Sequence, residues 1–278
     1  MTFEIVYGML RISCSMRTGD SVGAFYVFPY ISGKTEPTSD IIRIFVTLNI
    51  IRMKTKKKDV LNRFLPLWAI PPLVTILAVN CLIYWGSSAL TASRYHYDFT
   101  MAFDRAVPLL PGFVWIYILA FPFWAAGYML AARRGKDMFY RFVATDLTIH
   151  LICFLIFILV PTTNIRPEIA GDTISQKVLL LVYALDGGSA PSNLFPSIHC
   201  YVSWMCWKGV AGSSAIPKWY QKFSMVFAVL VIISTQVLKQ HYIVDAVLAL
   251  VLVEFFWRFY QKGQRHNWVV KIFDRKKE

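Results

Sequence analysis

Two histidines, an aspartate and an arginine fall in three short segments whose residue types suit phosphate chemistry. The segments are Asn164-Ile165-Arg166-Pro167, Phe195-Pro196-Ser197-Ile198-His199 and Ser234-(x6)-His241-(x3)-Asp245. His241 and Asp245 are four apart and share one helix face. A carboxylate so placed accepts from one imidazole nitrogen and fixes the tautomer. The other nitrogen then keeps its lone pair, as a nucleophile requires. Pro196 suits a first helical position, with Ser192 or Asn193 placed to cap. Free N–H groups at such a helix start favour a phosphate, and Ser197 can add a hydrogen bond. His199 is then placed as a general acid for a leaving oxygen. The planar fork of Arg166 suits bidentate phosphate binding. Taken singly, each segment also has a plain reading: a chance His-Asp pair, an interfacial histidine, a head-group anchor.

All three segments lie at the ends of long apolar runs. The chain has 278 residues, of which 56% are hydrophobic and 16% charged. That is too apolar for an ordinary soluble domain. The runs approach the roughly 20 residues needed to cross a hydrocarbon core of about 30 Å. Ionisable groups are costly at such a boundary, which itself points to function. Six spanning helices are predicted, near Phe64–Trp85, Phe113–Ala132, Phe142–Val160, Pro196–Gly212, Phe223–Leu238 and His241–Tyr260. A short interfacial helix is expected over Lys177–Leu185. The fold class is therefore an all-α integral membrane bundle of six transmembrane helices.

The net charge of +13 raises nucleic acid as a partner. The cations flank apolar runs instead of forming a patch, so topology explains them and no nucleic acid is expected. Loops on one side carry twenty basic residues, including Lys54 to Lys58, Arg133, Arg134 and the C-terminal tail. The other side carries five: Arg94, Arg105, Arg166, Lys177 and Lys239. Both termini are expected in the cytoplasm of a cell-membrane protein, with the three segments at the outer boundary. Loop charge and motif spacing are separate features of the sequence, so their agreement on one side is independent support.

Residues 1–59 differ from the rest. They mix Gly, Ser, Thr and short apolar stretches without a sustained period, and are read as a poorly ordered extension. No signal peptide is evident. Met53 opens a basic stretch before the first apolar run and is a candidate start. Residues 60–262 form the membrane domain, and 263–278 a basic cytoplasmic tail. Five cysteines lack metal-ligand spacing and read as small buried hydrophobes. Asp146 with His150, and Glu254 with Arg258, are i,i+4 pairs read as packing or anchoring.

Together, in this order and on one side, Arg-Pro, Pro-Ser-x-His and Ser-(x6)-His-(x3)-Asp resemble the type-2 phosphatidate phosphatase superfamily over about residues 60–260. The resemblance implies that His241 is the nucleophile, Asp245 its orienter and His199 the acid, with Arg166 and Ser197 binding phosphate. It implies an enzyme acting on a membrane lipid phosphate with no metal or other cofactor. Three positions depart from the family pattern. Leu159 stands where the family has a lysine, Ile198 where it has glycine, and Thr235 where it has arginine. Two phosphate-binding cations are thus absent. A less cationic pocket suits a singly charged diester better than a doubly charged monoester. Lys239 is near enough in sequence to replace one lost cation, and Asn193 is a further candidate phosphate ligand. The Phe-Pro-Ser-x-His and Gln240-His241-Tyr242-x-x-Asp245 pattern is similar to the inositol phosphorylceramide and sphingomyelin synthase branch, whose members move a phospho-head-group between lipids. Phosphatase and phosphotransferase differ only in the acceptor, water or a lipid hydroxyl. A third reading, from another class, is a lipid-binding or transport protein of this fold that has lost activity.

Overall fold

A computed structural model describes residues 2–7, 10–15, 28–30, 65–188 and 191–274. The chain divides into two compact units, Met1–Lys58 and Asp59–Glu278. In the first, β1 (Thr2–Tyr7), β2 (Leu10–Ser15) and β3 (Phe28–Tyr30) form an antiparallel sheet in the order β1-β2-β3. Phe3, Ile5 and Tyr7 recur every second residue, a strand period too short to register as a sustained pattern. The expectation that 1–59 is poorly ordered otherwise lies outside the described residues, as does the end of the basic tail, 275–278.

The second unit is helical. Its elements are α1 (Ile70–Thr91), α2 (Ala102–Ala106), α3 (Val114–Ala131), α4 (Lys136–Leu159), α5 (Ile174–Leu185), α6 (Ile198–Val210), α7 (Lys218–Val237), α8 (Ile243–Gln261) and α9 (Asn267–Phe273). Two residue pairs, β4 (Tyr97–Asp98) and β5 (Thr162–Thr163), bridge in parallel. Local chemistry sets the boundaries. Pro71 and Pro72 open α1, where a missing N–H costs nothing. Pro161 follows the end of α4. Thr173 and Gln176 form a reciprocal capping box for α5. α4 begins at Lys136, a turn and a half earlier than the apolar run indicates. Its polar first turn is held by the Asp137–Arg141 pair at 2.8 Å and by Lys136 on Asp274 at 2.7 Å.

Among the described residues, four segments are long and apolar enough to cross a membrane: Leu67–Thr91, Pro111–Arg134, Lys136–Leu159 and Lys218–Val237. α6 and α8 differ in kind. α6 has 13 residues, about 20 Å at 1.5 Å per residue. It packs against α3, α7 and α8 and buries Tyr201, Met205, Cys206 and Val210. α8 is 19 residues long but carries Asp245, Glu254 and Arg258. Gly127 on α3 lets α6 approach closely: a Cβ there would lie 2.6 Å from Cys206 Sγ. Leu77, Leu119, Leu155, Val229 and Val251 are exposed on the outer helix faces.

A buried polar network ties the middle of the bundle. Asp146 and His150 on α4 lie 3.0 Å apart and are 0% and 1% exposed. Tyr128 on α3 donates to Asp146, Tyr201 on α6 contacts His150, and Asn80 on α1 lies 3.2 Å from His150 Nε2. Four helices are thereby cross-linked, and the pairing offsets much of the cost of burying these polar groups, with Asp146 Oδ2 left only its ion-pair contact to His150. α1, α4 and α7 end, and α3, α6 and α8 begin, at one end of the bundle. Tyr97 pairs with Thr162 there, Leu110 N–H donates to Val237 O, and Ser197 N–H donates to Asp245 O.

Candidate active site

That end carries His199, His241 and Asp245 together. His241 lies in the break between α7 and α8. Lys239 takes φ +55°, and Tyr242 is extended as the N-cap of α8. The break is anchored on every side. Gln240 and His241 N–H donate to Thr235 O. Asn164 Nδ2 donates to Lys239 O at 2.9 Å. The Tyr242 hydroxyl donates to Asp98 at 2.6 Å, and the Ile243 N–H to Asp104 Oδ1 at 2.8 Å. The imidazole is thus mounted on a backbone with little freedom.

The tautomer of His241 follows from its neighbours. Nδ1 lies 3.0 Å from the Leu194 carbonyl and 3.2 Å from Asp245 Oδ2. A carbonyl oxygen only accepts, so Nδ1 carries the proton and Nε2 the lone pair. Asp245 is fully buried, and its Oδ2 also accepts the Tyr242 N–H at 2.9 Å. One carboxylate oxygen therefore caps α8 and orients the ring.

Nε2 of His241 faces Nδ1 of His199 at 3.4 Å. With the lone pair on Nε2, the proton between the rings belongs to His199. His199 sits in the first turn of α6, its ring stacked on Tyr117 at 4.8 Å between centroids. Trp124 and Phe121 close around it edge-on at 5.3 and 6.5 Å. Both histidines line a cavity of about 410 Å³ walled by Tyr84, Phe121, Leu181, Asp186 and Asn193. His241 also borders a second, polar cavity of about 240 Å³ with Arg105, Asn164, Arg166 and Lys239.

The four expected phosphate ligands are placed differently from the histidines. Ser197 is fully buried as the N-cap of α6, its hydroxyl accepting from Cys200 N–H at 3.3 Å. Asn193 Nδ2 donates to Tyr84 O at 2.8 Å. Burial pulls the Lys239 ammonium below its ordinary value, with Asp104 acting in the opposite sense. Its Nζ donates to the Asp104 carbonyl at 2.5 Å and to the Val107 carbonyl. Arg166 is the most committed. Nη1 donates to the carbonyls of Tyr183, Asp186 and Gly188 at 3.0, 3.0 and 2.8 Å. Nη2 donates to Asp186 Oδ2 and to Gln240 Oε1, both at 2.6 Å. The guanidinium also stacks over Tyr183 at 4.5 Å. Nε alone has no partner among the described residues.

Tyr117, Asp186, Asp104 and the Leu194 carbonyl are not singled out by the sequence, and Gln240 stands there only as part of a motif, with no role. Gln240 adjoins His241, and the Asp186-Gly187-Gly188 run marks a turn, but neither names a partner. On the loop before α2, burial raises the Asp98 carboxyl. Hydrogen bonds from Thr100 and Tyr242 and the nearby Arg105 charge outweigh burial, so it lies below its ordinary value.

No curated protein and no solved structure matches this chain. A family profile does, over residues 95–257, more than half of the chain and the whole of the histidine site. On that match the protein belongs to the PAP2 superfamily, the type-2 phosphatidate phosphatases.

Proposed function

We propose that this protein is a membrane-embedded enzyme that cleaves or transfers the phosphate or phospho-head-group of a lipid through a phosphohistidine. The observation that carries the reading is the pairing of His241 Nε2 with His199 Nδ1 at 3.4 Å, while acceptors hold the His241 Nδ1 proton. In the first step the Nε2 lone pair attacks phosphorus. The bond from phosphorus to the leaving oxygen breaks, and that oxygen takes a proton from His199, which enters the step as imidazolium and leaves it neutral. Asp245 stabilises the cation that forms on His241. In the second step water or a lipid hydroxyl attacks phosphorus and gives its proton to His199. The P–N bond breaks and its pair returns to Nε2. Arg166 Nε, without a partner among the described residues, is the candidate donor to the charge that develops.

α6 and α8 complete a six-span bundle in this reading. Asp245 lies in the first turn of α8, and Glu254 is neutralised by Lys208 at 3.0 Å and Arg258 at 3.4 Å. The loop-charge asymmetry supports cytoplasmic termini and a site at the outer face. One observation favours the non-catalytic alternative: both terminal nitrogens of Arg166 are taken. The deciding experiment incubates purified protein with labelled phospholipids, with and without diacylglycerol or ceramide. Free phosphate identifies a hydrolase and a new phospholipid a transferase. An acid-labile phosphoprotein is expected, and is lost in His241→Ala. Absence of all three products supports the non-catalytic reading.

A further inference from the structure

The larger cavity has an unusual charge balance for one that receives phosphate. Among the described residues lining it there is no lysine or arginine. Apart from the two histidines, its one ionisable side chain other than tyrosine is Asp186. Asp186 closes α5 as its C-cap and is 22% exposed at the side chain, whereas Arg166 behind it is 2% exposed. Asp186 Oδ2 holds Arg166 Nη2 at 2.6 Å, and Oδ1 accepts from the Tyr84 hydroxyl. The carboxylate therefore cancels the one buried guanidinium near the histidine pair and presents its own edge to the cavity.

We infer that Asp186 is a specificity-determining residue that selects a monoanionic phosphodiester over a dianionic phosphomonoester. The inference rests on phosphoryl chemistry at His241. A diester carries one negative charge. A monoester carries close to two above its second pKa of about 6. At an effective dielectric constant of about 20, a full unit charge within roughly 10 Å changes the affinity for one further negative charge on the ligand by on the order of tenfold or more. Screening lowers that to about tenfold at a cavity open to solvent. With Asp186 charged, its pair with Arg166 is close to neutral; removing that charge leaves Arg166 as an uncompensated cation, and this single change of charge favours the dianion. With a diester, attack by Nε2 breaks the bond from phosphorus to one ester oxygen, which takes the His199 proton. The other ester stays on phosphorus, so the group carried by His241 is a phospho-head-group or phospholipid fragment, not bare phosphate.

The test uses the full-length protein at pH 8 with two short-chain lipids sharing one diacyl part. One is a phosphatidate monoester and the other a phosphatidylglycerol diester. The ratio of their kcat/KM values is insensitive to the fraction of folded enzyme. Asp186→Asn, nearly isosteric, is expected to raise the monoester-to-diester ratio about tenfold. Asp186→Glu, which keeps the charge, is expected to hold it within about twofold. Orthophosphate binding by calorimetry reads the same charge without turnover and should tighten about tenfold in Asp186→Asn. An unchanged ratio and unchanged orthophosphate affinity in Asp186→Asn overturn the inference. If those shifts occur while His241→Ala turns over like the parent, charge selection stands and the phosphohistidine reading fails.

Discussion

His241 Nδ1 and Asp245 Oδ2 lie 3.2 Å apart, and the same oxygen takes the backbone N–H of Tyr242 at 2.9 Å. An amide at 245 can still cap α8 through its oxygen, but its NH2 group can also face Nδ1. That arrangement moves the imidazole proton to Nε2 and removes the nucleophilic lone pair. Asp245→Asn is expected to fold with an unchanged circular dichroism spectrum and to lose on the order of 10⁴-fold in kcat, the scale seen when a carboxylate orienting a catalytic histidine is neutralised. A variant within twofold of the parent would show that the Leu194 carbonyl alone sets the tautomer.

His199 is placed to protonate the leaving oxygen, with its ring held by Tyr117 at 4.8 Å. Its removal should therefore cost most where the leaving oxygen is most basic. For His199→Ala, turnover of an alkyl phosphate lipid should fall on the order of 10²–10⁴-fold, the range of general acid catalysis, while an activated aryl phosphate should lose far less. Equal losses on both substrates would make His199 a phosphate ligand instead of the acid.

His199, His241 and Asp245 were legible because residue type and short spacing carry their chemistry, and because one helix turn brings His241 onto Asp245. The commitments of Arg166 were not. Its partners Asp186 and Gln240 lie 20 and 74 residues away, and no local pattern announces such pairings. The helical runs were legible from hydropathy, but hydropathy alone does not separate lipid contact from protein contact. α6 reads as an apolar run because it is enclosed by α3, α7 and α8. The strands of the first unit and the β4–β5 bridge were missed because elements of two to six residues leave almost no periodic signal.

Arg166 joins the end of α5 to the backbone beside His241, through Asp186 and Gln240. Lysine keeps the charge but has three donors in place of five and no fork. Arg166→Lys leaves buried carbonyls and Gln240 Oε1 without donors, at a cost of about 1–3 kcal/mol. The thermal midpoint of the substrate-free protein in detergent, followed by tryptophan fluorescence, should fall by several degrees. A residue that only contacts substrate phosphate would leave that midpoint where it was.

Asp98 offers a pH-dependent contact on the loop that holds the start of α8. Its carboxyl accepts from the Tyr242 hydroxyl at 2.6 Å and from Thr100 N–H at 2.8 Å. Burial raises it, but these hydrogen bonds and Arg105 bring it below its ordinary value. A carboxyl whose folded pKa is depressed binds protons more readily when unfolded. Its stabilisation is therefore fully present above the unfolded value of about 3.9 and is lost as pH falls through the lower folded value. Asp98→Asn should lower the thermal midpoint at pH 7, where the carboxylate is charged. The gap to the parent should narrow as pH falls below about 4 and the parent carboxyl protonates. A gap that does not narrow with acid, or that widens, would show that Asp98 acts through packing and not through its charge.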